Sequence, residues 1–519
     1  MWLLRAAVFA ALFAIAGPDP ADAQDVTLRA QDGAVEITGT LLGFDGEFYR
    51  VDTRYGEITV DGGGVTCTGP GCPSLTDFVA EMTVSGSATI GRVLMPALIE
   101  SFALLTGLTA TRSALDDTQF YYDLASRQSG QRVGRFTFLV TNTDEGFADL
   151  LADEADIVMA LREIRRSEQD RAIEIGLGDL LDPNRNRVLA LDALIPVVAE
   201  SNPVTSISLA DLARAIAGEI TNWSDLGGPD AAISLHLRDE SSGLYEHLQD
   251  KLLTPLGLTP ATEANHHASN EALDAAVSAD PFGLGIANFA EIARARPLAL
   301  TGPCGFVSTG TRRSIKTEDY PLVAPMFLYV PARRLPKLGR DFLAYTRSAP
   351  AQIVIRRAGF IDQAPEEIGI AMQGDRLANA IAVADGTAAL AGLKRMVATL
   401  SPLRRLTPSF RFEAGGIRMD AQSRSNARQL AQALETGQYD GRRLVFVGFS
   451  DGQGDPLENM AIAQRRAEVA RDAVAAELQS AHRAMPALET EAFGEAMPMA
   501  CDDSVLGRHV NRRVEIWVD

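Results

Sequence analysis

The sequence predicts a multidomain α/β protein with a small antiparallel β module at its front, and three observations carry that prediction. The chain has 519 residues, room for about three or four domains at ~100–200 residues each. Residues 25–73 alternate apolar and polar positions between Asp-Gly turns, as half-buried strands do. From about Met82 onward, short apolar strands alternate with amphipathic helices, the pattern of α/β proteins. Hydrophobic residues make up 46% and charged residues 22%. That is an ordinary globular balance, with enough chain to bury cores without a metal or disulfide staple.

The first elements are not fold. Arg5 supplies a positive start, Ala6 to Ala16 form an apolar run, and Ala21-Asp22-Ala23 gives a small-x-small cleavage pattern. These features predict a secretory signal over 1–23, cut after Ala23, because the run is too short to span a bilayer. No Cys follows that site, and no later segment reaches the ~18–20 apolar residues of a membrane helix. The mature chain is therefore expected to carry no transmembrane segment and no lipid anchor at that site.

Residues 24–75 follow as the small β domain. Val26 and Leu28, Val35 and Ile37, Tyr49 and Val51, and Ile58 and Val60 mark its strands, and Asp32-Gly33, Asp45-Gly46 and Asp61-Gly62 its turns. Cys67 and Cys72 lie at a spacing that a turn can close into a disulfide. A zinc pair is the alternative, but two further ligands at metal spacing are missing. Cys304 and Cys501 are far apart, and the sequence does not fix whether they pair.

Residues 80–365 read as the second domain, with strands at Thr83–Val84, Phe136–Val140, Asp156–Met159, Ala193–Val198 and Ser234–Leu237. Residues 366–401 read as a helical connector. Residues 402–519 read as strand, helix, strand, helix, helix, strand, with strands expected at Arg411–Glu413, Leu444–Gly448 and Arg513–Val518. The net charge of −20 speaks against a nucleic-acid partner, which needs a basic surface.

The most specific stretch is Val447-Gly448-Phe449-Ser450-Asp451-Gly452-Gln453-Gly454-Asp455, followed by Asn459, Arg465-Arg466-Ala467, Gly494-Glu495 and Asn511-Arg512-Arg513-Val514-Glu515. Asp451 stands at a strand-to-turn junction with glycines behind it, and Arg466 follows fifteen residues later on a helix. A carboxylate and a guanidinium facing one pocket suit a zwitterionic centre, the planar fork taking a carboxylate bidentately. The stretch resembles the OmpA C-terminal family, whose pattern is a G-H-T-D-x-x-G turn, an N-x-x-L-S-x-x-R-A helix and an N-R-R-V-E strand. The resemblance implies an α/β sandwich that binds peptidoglycan, with Asp451 and Arg466 on the diaminopimelate stem peptide and Asn459 and Arg513 shaping the pocket. Phe449-Ser450 in place of His-Thr, and Ala463 in place of Ser, depart from the pattern without removing the charged pair. A calcium loop is a poor reading of Asp451–Asp455, because the twelfth-position Glu is absent.

In the central domain, Ser85-Gly86-Ser87-Ala88-Thr89 ends a strand and opens an apolar helix, a place where backbone N–H groups and hydroxyls gather around an anion. Asp192–Val198, Gly218-Glu219-Ile220-Thr221-Asn222-Trp223 and Arg238-Asp239-Glu240-Ser241-Ser242-Gly243 follow. Together they resemble the phosphate-binding-protein (PstS-like) family of ABC-transporter periplasmic receptors. The resemblance implies a two-lobed type-II periplasmic binding fold with its ligand between the lobes. It places Ser87, Thr89 and the Ile90 N–H in a first anion loop, Thr143 and Gly146 in a second, and Arg238, Ser242 and the Gly243 N–H in a third. Leu244 stands where the family has Thr, and Leu161 where a polar ligand is aligned. Each lost contact removes ~0.5–3 kcal/mol, and Arg162 is the candidate to compensate with charge.

Enzyme motifs are few: no P-loop or H-E-x-x-H occurs. His266-His267 in a polar loop reads as solvated rather than metal-binding, and Asp451 with Glu495 fits wall binding better than a glycosidase pair. The expectation is a non-catalytic protein without cofactor or metal, periplasmic and wall-associated in a Gram-negative bacterium. It would be held to peptidoglycan and would bind phosphate or a related small anion, with an ABC permease as a possible partner. The alternatives are an envelope structural or interaction protein whose cleft no longer takes a transport solute, and a wall-modifying hydrolase.

Overall fold

The computed structural model describes residues 25–74, 78–384, 386–478 and 485–519; the expected signal segment lies outside them. The chain divides into two compact units: residues up to Ala80 with Leu335–Arg340, and Glu81–Arg334 with Asp341–Asp519. It is a multidomain α/β protein with antiparallel and mixed sheets.

In the first unit, five antiparallel strands run in the order Gly56–Asp61, Phe48–Thr53, Glu36–Phe44, Asp25–Ala30, Val65–Thr68. Alternation turns Val26, Leu28, Tyr49 and Val51 to one buried cluster. Cys67 and Cys72 are bonded, their Cα atoms 5.8 Å apart.

In the second unit, one long mixed sheet runs through two lobes. Its spine is Asn186–Val198, buried along almost its whole length, as a near-continuous apolar run must be when both faces are covered. The first half of this strand pairs with Val323–Tyr329 and the second half with Gly283–Asn288. Beyond Val323–Tyr329, the first lobe continues through Ile157–Ala160, Ala80–Ser87, Arg132–Thr141, Gln119–Ser126 and Leu108–Ala114. The last two strands were not expected. Leu108–Ala114 is only half-buried and mostly polar, so its pattern gives little period-2 signal. Beyond Gly283–Asn288, the second lobe continues through Ser234–Arg238 and Asn265–His267.

The C-terminal sheet has the order Glu367–Ile368, Arg404–Arg411, Arg513–Val518, Arg443–Phe449, Ala487–Gly494. Leu444 and Phe446 pack under Ala421–Glu435 and Pro456–Glu477. Val445, Val447 and Phe449 pack on the other side against Leu393, Met396 and Leu400. The stretch read as a connector thus supplies an edge strand and the helix Gly386–Leu400 that covers this second face. The strand expected at 411–413 lies at Arg404–Arg411 instead. Pro408 reads as a breaker, but the pairing shifts register between Arg405 and Ser409 and carries the strand past it. A parallel strand, Ala487–Gly494, was missed.

This sheet is docked on the two-lobed part. Arg405 makes a bidentate pair with Asp319 at 2.6 and 3.0 Å, both groups buried. Cys304 and Cys501 are bonded, with Cα atoms 5.7 Å apart. Contacts reach the first lobe as well, through the Ala421 N–H on Glu163 and the Arg428 guanidinium on the Pro183 carbonyl. Among the described residues, no helix is long and apolar enough to cross a membrane.

Candidate functional site

Strand Ala80–Ser87 pairs in parallel with Ile157–Ala160, and the two backbones approach so closely that a methyl at Gly86 would sit 2.3 Å from the Met159 carbonyl. Only glycine fits, and its φ of +123° turns the chain toward the helix that follows. The turn buries the Ser87 hydroxyl and leaves it without a hydrogen-bond partner among the described residues. Facing it is Gly243 of the other lobe, where a methyl would lie 3.2 Å from Ser87 Oγ and 3.1 Å from Leu161 Cδ1. Thr89 opens the first helical turn, and Ile90 is fully buried.

The second loop enters helix Thr143–Leu151, capped by the Asn142 side chain, which accepts the Glu145 N–H at 2.8 Å. The same amide donates to the Ser241 carbonyl across the cleft at 3.2 Å. The Thr143 N–H is occupied by the carboxylate of Glu246, at 3.1 Å, and Thr143 Oγ1 accepts the Leu161 N–H. Burial pushes the Glu246 carboxyl up to about 7, and the nearby Asp144 charge adds to the rise. Gly146 plays a packing part: a methyl there would come within 2.8 Å of Gly86 Cα.

The third loop carries Arg238 and Ser242. Arg238 donates to the His267 carbonyl at 2.9 Å, the Ala268 carbonyl at 2.9 Å and Asn270 Oδ1 at 2.6 Å. All three acceptors are neutral, so its charge stays uncompensated at hydrogen-bond range, and burial lowers its pKa. Ser242 caps Gly243–Leu248, accepting the Tyr245 N–H at 3.2 Å. Arg162 differs sharply: it holds Asp144 at 2.5 Å and Glu168 at 2.7 and 2.9 Å. Its fork is already filled by carboxylates, leaving little charge for a guest.

At the C-terminal sheet, Asp451 follows strand Arg443–Phe449 and pairs with Arg512 at 2.8 Å. The turn behind it is pinned. Gly452 N–H donates to Asp502 at 2.7 Å, and Asn459 donates to the Gln453 carbonyl at 3.0 Å and to Glu495 at 2.6 Å. Arg466, on Pro456–Glu477, is 2% exposed and lies over the Phe412 ring, its Nε donating to the Gly416 carbonyl at 3.1 Å. Its two terminal nitrogens have no hydrogen-bond partner among the described residues. Burial pulls its pKa to about 10, Arg512 pulls in the same direction and Asp451 opposes them. The result is two guanidiniums in the field of the Asp451 carboxylate, with Arg466 keeping donors to spare.

Arg513 lies elsewhere. It is fully buried, pairs with Glu515 at 2.7 Å, donates to the Met497 carbonyl at 2.8 Å and covers the Phe449 ring. Successive side chains of a strand face opposite ways, so Arg513 joins Glu515 and Trp517 while its neighbour Arg512 faces Asp451. Arg512 is the residue that sequence reasoning missed. The signal was present, because Val514 and Ile516 lie on the face that the Arg466 helix covers.

Comparison with known proteins bears on the two-lobed part. Residues 103–350 match the family model of the PBP superfamily domain. The PBP-like region is similar to the phosphate-binding protein PstS of Borreliella burgdorferi, 29% identical over 157 residues, which is 30% of this chain and 50% of that protein. It is also similar to protein SphX of Synechococcus elongatus, 26% identical over 234 residues, or 43% and 67% of the two chains. The chain thus spans half the length of the first relative and about two thirds of the second. Among solved structures, an ABC-type phosphate transport receptor from Vibrio cholerae aligns at 21% identity and a TM-score of 0.42, covering 54% of this chain and 99% of that one. The peptidoglycan-associated lipoprotein of Burkholderia pseudomallei aligns at 24% identity and a TM-score of 0.19, covering 22% and 90%.

Proposed function

We propose that this chain is an exported, periplasmic binding protein that takes phosphate or a related small oxyanion between the lobes of its PBP-like region and fastens to peptidoglycan through its C-terminal sheet. The observation that carries the first half is the Ser87 hydroxyl, buried against Gly243 without a partner among the described residues, on a loop facing the helix that Ser242 caps, while Arg238 makes its hydrogen bonds to neutral acceptors. A buried donor left unmet costs about 1–3 kcal/mol, and an oxyanion would satisfy it together with Thr89, the Ile90 N–H and Ser242. The similarity to the phosphate-binding protein PstS of Borreliella burgdorferi supports the same ligand class. An ABC permease would be the partner if the anion is transported. Peptidoglycan binding rests on Asp451, Arg466 and Arg512, whose surplus donors suit the carboxylate of a stem-peptide centre and whose single acid suits its ammonium.

Calorimetry of the full chain with inorganic phosphate, alongside sulfate, tests the anion site; saturable phosphate binding that is lost in Arg238→Ala is expected. Sedimentation with purified sacculi tests the anchor, with retention expected for the wild type and lost in Arg466→Ala and Asp451→Ala. A second reading, in which the cleft has been turned to a structural role, is favoured by one observation. The Glu246 carboxylate already occupies the Thr143 N–H, and Arg162 is already neutralised. Phosphate titrations without heat, in a chain that still binds sacculi, would decide for that reading.

A further inference from the structure

A cavity of about 250 Å³ opens where three parts of the second unit meet. Glu163 comes from the first lobe, His247 and Lys251 from the second, Glu318 from just before the strand that returns to the first lobe, and Asp420 and Arg411 from the C-terminal sheet. It is distinct from the Ser87–Gly243 contact and from the Asp451 cluster, none of whose residues line it.

Its polar groups are incompletely satisfied. The Lys251 ammonium has no hydrogen bond or ion pair among the described residues, although its charge interacts with Asp420, Glu318 and Glu163. His247 is 6% exposed, and among the described residues neither of its ring nitrogens meets a partner in hydrogen-bonding geometry. The carboxylates each keep an oxygen without a close donor. Glu163 accepts only the Ala421 N–H at 3.1 Å, Glu318 only Asn426 at 3.0 Å, and Asp420 accepts the Ser423 N–H at 2.8 Å with its other oxygen 3.7 Å from His509. Glu318 moreover sits at φ +57°, a left-handed backbone that a residue with a side chain rarely adopts.

Acids and an ammonium that face one another without touching leave room for a bridging molecule. Arg162 is already held by Asp144 and Glu168, and Asp250 by Arg165; the lining otherwise carries three carboxylates (Glu163, Glu318 and Asp420) against two cations (Lys251 and Arg411), so a guest with one net positive charge matches it. We infer that this junction binds a small basic amino acid, its carboxylate on Lys251 and its ammonium groups among Glu163, Glu318 and Asp420. The apolar wall of Val323, Pro325 and Phe327 takes the aliphatic stem.

Calorimetry of the full disulfide-bonded chain with L-lysine tests the inference. Norleucine lacks the terminal ammonium and 1,5-diaminopentane lacks the carboxylate, so both should bind at least ~30-fold more weakly, as expected for losing one partner of a buried charge pair. Lys251→Met and Asp420→Asn should weaken L-lysine by a similar factor. Asn still caps the helix that begins at Ala421, so the second variant removes charge without removing the cap. Arg238→Ala, which empties the proposed anion site, should leave L-lysine binding unchanged. Absence of L-lysine binding in folded wild type, equal binding of all three probes, indifference to both variants, or loss in Arg238→Ala would each overturn the proposal.

Discussion

Arg162 and Arg466 are both buried arginines at candidate sites, and they stand in opposite conditions. Arg162 grips Asp144 and Glu168 with both ends of its fork. Arg466 spends one donor on the Gly416 carbonyl and shares its single nearby acid with Arg512. The first arginine stitches the helices of its lobe together; the second keeps two nitrogens without a partner among the described residues. Residue type does not separate the two cases. What separates them is how much of the fork is already met by the fold, because a guanidinium whose terminal nitrogens are held by carboxylates gains little from a guest.

The contrast is broken most forcefully at neighbouring positions 512 and 513. Arg513→Ala strips Glu515 of one of three cationic neighbours in a fully buried network; burial raises that carboxyl, and Arg376, Arg405 and Arg513 together outweigh it and hold it at about 2. A loss of roughly 3–5 kcal/mol of stability follows, read as a fall in the denaturant midpoint. Arg512→Ala should lower stability far less and instead weaken retention on sacculi. If the two variants behave alike, the separation of structural from receiving arginines fails.

A smaller effect is expected at Arg238, where removal of charge-assisted bonds worth about 1.5–3 kcal/mol should weaken phosphate by roughly tenfold to a hundredfold. Arg162→Ala should instead act mainly on thermal stability. Smaller again is the effect of Glu246→Gln. Burial sets the Glu246 carboxyl at about 7, so it is ionised above that pH and repels an anion at the Thr143 N–H. Phosphate affinity should therefore fall as pH rises through 7, and the variant should flatten that slope in titrations at pH 6 and 8. By linkage, the raised carboxyl also makes the protein lose stability as pH climbs from the ordinary Glu range toward 7. Smallest in reach, Gly146→Ala places a methyl 2.8 Å from Gly86 Cα, an overpacking worth about 1–3 kcal/mol that thermal melting would register.

What was legible in the sequence was local. The turn that presents Asp451, the long helix carrying Arg466, the loop at Ser85–Thr89 and the Cys67–Cys72 closure all depend on residues a few positions apart. What was hidden depends on partners brought together by the fold. Arg162 looks available until Glu168 and Asp144 come around it, eighteen positions away in the second case. Gly146 looks like a ligand-facing glycine until the parallel strands bring Gly86 against it. Pro408 looks like a stop until a register shift absorbs it. Arg512 and Arg513 differ by one position, and only the face of the strand decides between them.

The bond between Cys304 and Cys501 spans 197 positions, and closing so long a loop is worth about 5 kcal/mol in the chain-entropy account. It also changes what a protease can achieve. A cut between residues 366 and 401 would sever the backbone between the two-lobed part and the C-terminal sheet, yet both fragments would travel as one species on a non-reducing gel. Only a thiol reductant would then let the two fragments part on the gel.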